Sequence, residues 1–160
     1  MNKVIQNVRK DVLRYLFSIE KFAKNLESPG DGLLGLITTK LMTESNNGSI
    51  INAIDRLKIK NGEHHLEIGA GNGHGLNHAA KCKPGRLIGV EISSRFRAMI
   101  TDQNIPGAEL YGNDAIDMSS FIPSNSVDTM VAMNVVYFLD PLSAYAKEFK
   151  RYKFMFTIIV

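Results

Sequence analysis

From residue 47 onward the sequence alternates between two hydrophobic patterns, and this alternation limits the fold more than any other feature. Short apolar runs rich in β-branched residues predict buried strands, and apolar residues spaced three and four apart predict helices. Strands and helices that alternate in this way form an open, mostly parallel sheet with helices on both faces, which is an α/β fold. The predicted strands are 65–68, 86–91, 108–111, 127–133 and 154–160, and the predicted helices are 47–57, 74–81, 93–100 and 141–151.

The first 45 residues differ from the rest because they carry no strand signal. Apolar residues recur at spacings of three and four between Ile5 and Leu26, so one face of a helix is apolar there. Residues 28–32, with the sequence Ser-Pro-Gly-Asp-Gly, then end this helix. We therefore divide the chain into an N-terminal helical cap at 1–45 and an α/β domain at 46–160. The cap either packs on the α/β domain or acts as a lid that contacts substrate.

Composition excludes several classes of protein. The chain has a single cysteine, Cys82, which excludes an internal disulfide framework and a cysteine-rich zinc site. A formal net charge of +3 is too small to indicate a nucleic-acid or membrane partner. No apolar run approaches the about 20 residues that span a bilayer, and charged residues interrupt every candidate signal sequence near the N-terminus. We therefore expect a cytoplasmic protein with no nucleic-acid and no membrane partner.

The glycine-rich segment after the first predicted strand is the main candidate for a binding site. Ligands of open parallel sheets bind at the carboxyl ends of the strands. Gly69, Gly71 and Gly73 follow the first strand there, and glycines allow a tight turn and a close approach of the backbone to a ligand. Glu91 ends the next strand, twenty residues after Gly71, where a carboxylate can accept both hydroxyls of a ribose. This arrangement predicts a cofactor that carries a nucleoside.

The spacing of the glycines separates two kinds of nucleoside cofactor. The dinucleotide pattern G-x-G-x-x-G would need a glycine at position 74 or 76, but the residues there are His74 and Leu76. The pattern that fits is apolar–acidic–apolar–G-x-G-x-G at 66–73. A nicotinamide-dependent oxidoreductase is therefore a disfavoured alternative.

Four segments in order resemble the motifs of the class I S-adenosylmethionine-dependent methyltransferases, particularly the small-molecule, methyltransferase type 11-like members. Residues 66–73 (Leu-Glu-Ile-Gly-Ala-Gly-Asn-Gly) resemble the first motif, and residues 89–93 resemble the second. Residues 112–115 are similar to the segment after the third strand, and residues 127–137 are similar to the fourth-strand motif. The resemblance implies a Rossmann-like fold, S-adenosyl-L-methionine as cofactor, and transfer of its methyl group to a small-molecule substrate.

The same resemblance implies roles for individual residues. Glu67 would organise the glycine loop and the contacts to the methionine moiety, Glu91 would hold the ribose, and Asn134 would lie beside the sulfonium. No catalytic residue is selected, because His74 and Tyr137 are equal candidates to lie near the substrate. The residues implied to contact the cofactor are Glu67, Gly69, Ala70, Gly71, Gly73, Glu91, Ile92, Asn113, Asp114, Ala115 and Asn134.

The four histidines, all between positions 64 and 78, raise the question of a metal site. His74, His78 and Cys82 are spaced four residues apart on the predicted helix. The first two could share an ion, but the third is about 12 Å from the first along the axis. We therefore expect no metal and interpret the histidines as surface residues.

The C-terminal part departs from the family pattern. The resemblance implies further strands beside the fifth, whereas the printed sequence ends within the fifth predicted strand. We expect these last strands to be missing and the edge of the fifth strand to be exposed, so that a second copy of the chain or another partner can add there. Because every implied cofactor residue lies upstream, the alternative to an active enzyme is a methyltransferase-like binding module that has lost turnover.

Overall fold

The computed structural model describes Lys40, residues 48–152 and the backbone of residues 155–159. The helical cap predicted at 1–45 therefore lies outside the described residues, apart from Lys40, which is helical. The described elements, in chain order, are α1 (residues 48–57), β1 (His64–Ile68), α2 (His74–Ala80), β2 (Arg86–Val90), α3 (Ser94–Asp102), β3 (Ala108–Tyr111), β4 (Thr129–Met133), a 3₁₀ turn (Val136–Phe138), α4 (Leu142–Phe149) and β5 (Met155–Ile159).

The five strands form one sheet with the order β3-β2-β1-β4-β5, and every pair of neighbours is parallel. The predicted α/β, Rossmann-like architecture is therefore confirmed. The chain moves outward from β1 to β3 and then returns across β1 to place β4 on its other side. The loops that follow β1 and β4 consequently diverge, and they leave a crevice at the carboxyl end of the sheet.

Two apolar clusters cover the two faces of the sheet, because successive strand residues point to opposite sides. On one face, Ile54 of α1, Leu76 of α2 and Ile100 of α3 pack with strand residues such as Leu87. On the other face, α4 and the segment before β4 cover the strands, through residues that include Leu66, Ile68, Ile88, Met118, Met130, Tyr145 and Phe149.

One prediction about the histidines is wrong. His65 is fully buried in β1, where its Nδ1 lies 2.9 Å from the Thr129 hydroxyl of β4. That hydroxyl satisfies one ring nitrogen, while Nε2 has no hydrogen-bond partner among the described residues. Burial lowers the pKa of His65 to about 4, so the imidazole is neutral at pH 7 and acts as a core residue.

Local signals explain where α3 begins. Ser93 has an extended backbone, and its hydroxyl accepts a hydrogen bond from the Phe96 amide at 3.4 Å. This is the N-cap predicted from the sequence.

Among the described residues, no helix has both the length and the apolar composition needed to cross a membrane.

Candidate functional site

An open cleft lies at the carboxyl ends of β1, β2 and β4, where the strand order reverses. Its walls include residues 67–72 at the end of β1, residues 90–92 at the end of β2, Asp114 and Ala115 beyond β3, and residues 133–135 at the end of β4. The parallel sheet thus brings together segments that are far apart in sequence.

Two of the loop glycines are required by contacts within the protein. A Cβ atom on Gly69 would collide with the Val135 side chain beyond β4. A Cβ atom on Gly73 would lie 2.8 Å from Ile100 Cγ1 of α3. These glycines let the loop pack closely against its neighbours, as in a sharp strand-to-helix turn.

Gly71 is different, because its missing side chain would face open space. A Cβ atom there would find no protein atom nearer than 3.9 Å, the Gly69 carbonyl oxygen. Its φ is +53°, a conformation that glycine adopts at little cost. Gly71 is therefore the loop glycine whose lack of a side chain leaves room for a ligand.

The Glu91 carboxylate fastens the glycine loop to the end of β2. Its Oε2 accepts a hydrogen bond from the Gly71 amide at 2.8 Å, and its Oε1 accepts one from the Ser93 amide at 2.8 Å. Burial raises the pKa of Glu91, while these two N–H groups and the nearby Arg97 guanidinium oppose that rise. A carboxylate has about four lone-pair sites, so these two bonds leave capacity for donors from a ligand.

Arg97 of α3 fixes the chain just after β2. Its Nη1 donates to the carbonyl oxygens of Glu91 and Ile92, at 2.7 Å in both cases. Its guanidinium also lies where a side chain on Gly112 would be, 2.8 Å from the position of the missing Cβ. Arg97 thus holds the end of β2 and closely contacts the end of β3.

Glu67 is the second buried acid of the cleft. It is only 3% exposed, and its Oε2 has no hydrogen-bond partner among the described residues. Burial, and to a lesser degree repulsion from Glu91, raises the pKa of Glu67 to about 8. A Cβ atom on Gly75 would lie 2.6 Å from that same oxygen, so α2 packs directly against the carboxyl group. A buried acidic oxygen without a partner can accept a donor from a ligand.

Asp114 contributes the third carboxyl group. Its Oδ1 accepts a hydrogen bond from the Ile116 amide, and its Oδ2 accepts one from the Tyr145 hydroxyl, each at 3.1 Å. Ala115 beside it is buried, whereas Asn113 is exposed. The described wall of the cleft therefore has one carboxyl group at the end of β1, one at the end of β2 and one beyond β3, and it contains no lysine, arginine or histidine.

The wall that follows β4 has a different character. Asn134 has a φ of +54°, in the left-handed region that asparagine tolerates better than most residues. Val135, Phe138 and Leu139 then give this side an apolar lining. Tyr137 is 59% exposed.

Nine of the eleven residues implied to contact the cofactor line this one cleft. The other two, Gly73 and Asn113, do not line it, and neither do the candidate substrate neighbours His74 and Tyr137. Sequence reasoning missed Tyr145, which lines the cleft from α4; its sequence context is only that of an amphipathic helix.

In the described part of the chain, no group of three or more histidine, cysteine, aspartate or glutamate residues could hold a metal ion.

An open parallel sheet with a glycine loop and carboxyl groups at the point where the strand order reverses is typical of α/β proteins that bind nucleoside cofactors. A family model described as "Methyltransferase domain" matches residues 66–152, more than half of the chain. The chain therefore belongs to the methyltransferase-domain family, and the resemblance to the class I S-adenosylmethionine-dependent methyltransferases is confirmed. A search of curated protein sequences finds no match.

Solved structures share the fold at low sequence identity. A chain from a complex between the Trm112 methyltransferase activator and a methyltransferase of Haloferax volcanii has a TM-score of 0.62 and 19% identity, over 69% of this chain and 49% of its own. An S-adenosylmethionine-dependent methyltransferase from Methanococcus maripaludis has a TM-score of 0.62 and 18% identity, over 78% and 62%. The [4+2]-cyclase SpnF has a TM-score of 0.56 and 18% identity, over 78% and 45%. The matched regions thus span less than two thirds of each of these structures.

Proposed function

We propose that the protein is a methyltransferase that binds S-adenosyl-L-methionine in this cleft and transfers the methyl group to a small-molecule acceptor. The observation that carries the proposal is the set of three carboxyl groups in a described wall without cationic side chains. S-adenosylmethionine brings an ammonium group, ribose hydroxyls, an adenine amino group and a sulfonium cation, all of which suit carboxyl groups. The phosphates of a dinucleotide would instead find no cationic side chain in this described wall.

The residues present fit this cofactor at each point. The partnerless Glu67 Oε2 would accept a hydrogen bond from the ammonium group, Glu91 would accept ribose hydroxyls, and Asp114 would accept the adenine amino group. The space beside Gly71 would hold the cofactor close to the loop backbone, with the remaining contacts from Gly69, Ala70, Ile92, Ala115 and Asn134. We propose no direct contact for Gly73 and Asn113.

The cofactor supplies the reactive methyl group, so the chain's part is to position the reactants and to exclude water. The wall after β4 suits this task. Val135, Phe138 and Leu139 present apolar surface beside Asn134, and apolar walls favour a neutral small acceptor over a charged one. No described residue is proposed as a general base.

The alternative is a methyltransferase-like binding module that does not turn over. It is favoured by a specific observation, namely that the described wall offers no histidine, lysine or cysteine that could take a proton from an acceptor. The cyclase SpnF also has this fold, and fold alone does not fix the reaction. Binding of S-adenosylmethionine without methyl transfer to any fraction of a cell extract would favour this alternative.

We also propose that a partner binds at the outer edge of β5. In the described sheet β5 pairs only with β4, so a second copy of the chain or another protein could add to its outer edge. The Haloferax volcanii neighbour was solved with an activator. Thr157→Lys combined with Ile159→Lys should disperse such an assembly, as measured by light scattering. An assembly that stays unchanged would exclude the β5 edge as the contact. A cytoplasmic location without nucleic-acid or membrane partners stays a prediction.

Two matched glycine variants test the cofactor site. Gly71 and Gly62 both have positive φ values, +53° and +84°, and neither has a protein atom within 3.5 Å of the position of the missing Cβ. Leucine therefore introduces backbone strain of about 1–2 kcal/mol at either position, but only at Gly71 would it occupy the cleft. In calorimetric titrations, Gly71→Leu should abolish binding of S-adenosylmethionine while Gly62→Leu binds like the unaltered chain. Binding by a folded Gly71→Leu variant would contradict the proposal.

A further inference from the structure

One face of α4 holds the loop that carries Asp114. The Tyr145 hydroxyl donates a hydrogen bond to Asp114 Oδ2 at 3.1 Å, and Glu148 Oε1 accepts one from the Met118 amide at 2.9 Å. Residues three apart on a helix share a face. Tyr145 and Glu148 therefore hold the loop at two points, one at its start and one four residues further along.

The Tyr145 ring is itself held in a fixed position. It is 6% exposed, it belongs to the apolar cluster between α4 and the sheet, and it packs edge-on against Phe149 with the ring centroids 6.3 Å apart. Nevertheless, Tyr145 lines the cleft. A hydroxyl on a buried ring has little freedom to turn away, so it can orient the group to which it donates.

The Asp114 carboxylate receives one donor on each oxygen. The Ile116 amide binds Oδ1 and the Tyr145 hydroxyl binds Oδ2. Because an ionised carboxylate has no hydrogen to donate, its remaining lone pairs can only accept. A ligand group placed beside it must therefore be a donor, such as an exocyclic amine, and a carbonyl oxygen in the same place would meet a negative charge.

We propose that Tyr145 is a positioning residue that fixes the Asp114 carboxylate and so makes the cleft select a 6-amino purine over a 6-oxo purine. The inference rests on the proposed function, since it concerns the base of the cofactor. The new element is that this selection depends on the Tyr145 hydroxyl, because Tyr145 lies on α4, outside the motifs that imply the cofactor contacts.

The test compares the affinities of S-adenosylhomocysteine and S-inosylhomocysteine, which differ in the amino or oxo group of the base. The unaltered chain should prefer the adenosyl compound by about tenfold or more in calorimetry. Tyr145→Phe should reduce this preference by about threefold or more. Tyr111→Phe is the matched control, because the Tyr111 hydroxyl also donates to a carboxylate, Glu109, at 3.0 Å, and neither residue lines the cleft; it should leave the preference unchanged.

Each outcome decides the proposal. A preference that Tyr145→Phe leaves unchanged, or affinities for both compounds that fall equally, would overturn the role of Tyr145 while leaving the proposed function intact. Failure of the unaltered chain to bind either compound would overturn the proposed function itself. If Tyr145→Phe does not fold, the ¹³Cζ resonance of Tyr145 in labelled unaltered protein replaces it. That resonance should shift more with the adenosyl compound than with the inosyl compound, and equal shifts would overturn the proposal.

Discussion

The two sides of the cleft are built from different kinds of contact. On the side formed by β2 and β3, every carboxyl group is oriented by the protein. The Gly71 and Ser93 amides bind Glu91, and the Ile116 amide and the Tyr145 hydroxyl bind Asp114. On the side that follows β4, the wall is apolar, and the nearby Tyr137 and Leu142 are 59% and 51% exposed.

This difference separates two kinds of recognition. Oriented acceptors discriminate between ligands, because a ligand that cannot satisfy them leaves polar groups unpaired. Apolar walls discriminate by shape and area, at about 25 cal/mol for each Å² buried. Under the proposed function, the side with oriented hydrogen-bond acceptors suits one invariant cofactor, and the apolar side tolerates methyl acceptors of different shapes.

The largest effect that we expect comes from the proton on Glu67. Its pKa is about 8 in the folded chain against 4.5 ordinarily, so folding favours the protonated form. Stability from this group is complete below about pH 4.5 and is lost as the pH rises through about 8, at about 1.4 kcal/mol for each pH unit between the two pKa values. Glu67→Gln cannot ionise, and it should remove this loss.

Denaturant unfolding at pH 5, 7 and 9 measures this effect in the absence of any ligand. Glu63→Gln is the control, because Glu63 lies one position before β1 and is only partly buried. The control should keep the pH dependence of the unaltered chain. A Glu67→Gln variant that keeps it as well would show that this carboxyl group ionises freely and is not held in the wall as described.

His65 lies two residues before Glu67 on the same face of β1, and we expect it to act in the opposite direction. Its pKa is about 4 against 6.5 ordinarily, so its contribution to stability is present above pH 6.5 and is lost as the pH falls through about 4. The unaltered chain should lose about 3 kcal/mol of unfolding free energy from this group between these values. His65→Leu should lose less over the same range, and an equal loss in both chains would refute this assignment.

A smaller effect is expected from Glu91→Ala, which removes an acceptor from the oriented side. The Gly71 amide loses its partner, and the ribose would lose its acceptor, at about 1.5–3 kcal/mol for each bond to a charged group. Binding of S-adenosylmethionine should weaken tenfold or more. Glu109→Ala is the control, because Glu109 is a strand glutamate that pairs with Arg86, with a nitrogen–oxygen distance of 2.8 Å, outside the cleft. If the two variants had equal affinities for S-adenosylmethionine, Glu91 would not be the residue that binds the ribose.

The smallest effect on cofactor binding is expected from Tyr137→Ala, on the apolar side. Because Tyr137 is mostly exposed and does not line the cleft, the affinity for S-adenosylmethionine should change less than twofold, a difference of roughly 0.4 kcal/mol. A change of tenfold would mean that the cofactor extends to this side, and the division between the two sides would then be incorrect.

The sequence predicted the elements and part of the cleft wall because the signals for them are local. The alternation of strand and helix patterns identified all five strands, and the four segments that resemble the family motifs led to nine of the residues that line the cleft. The misses depend on distant contacts. Tyr145 reaches Asp114 across 31 positions, and His65 reaches Thr129 across 64. Such pairs exist only once the strand order brings their elements together.

Gly73 does not line the cleft because of a contact that is also distant in sequence. From the sequence, the three glycines of the loop look equivalent. In the structure Gly73 packs against Ile100 of α3 while Gly71 faces open space, and this difference depends on where α3 crosses the loop. A motif therefore specifies that the backbone must come close to something, and the fold decides whether that neighbour is protein or ligand.

The most direct test of the account is a map of the backbone amides that respond to S-adenosylmethionine. In ¹H–¹⁵N spectra of the labelled chain, the amides of Gly71, Ser93, Ile116 and Asn134 should shift on addition of the cofactor. The amides of Gly62 and Gly85, which lie at the opposite end of the sheet and bond to the Lys83 and Glu63 carbonyl oxygens, should not shift. The oxidised nicotinamide dinucleotide should leave all of them unmoved. No response at the four cleft amides, or an equal response to the dinucleotide, would contradict the assignment of the cleft as an S-adenosylmethionine site.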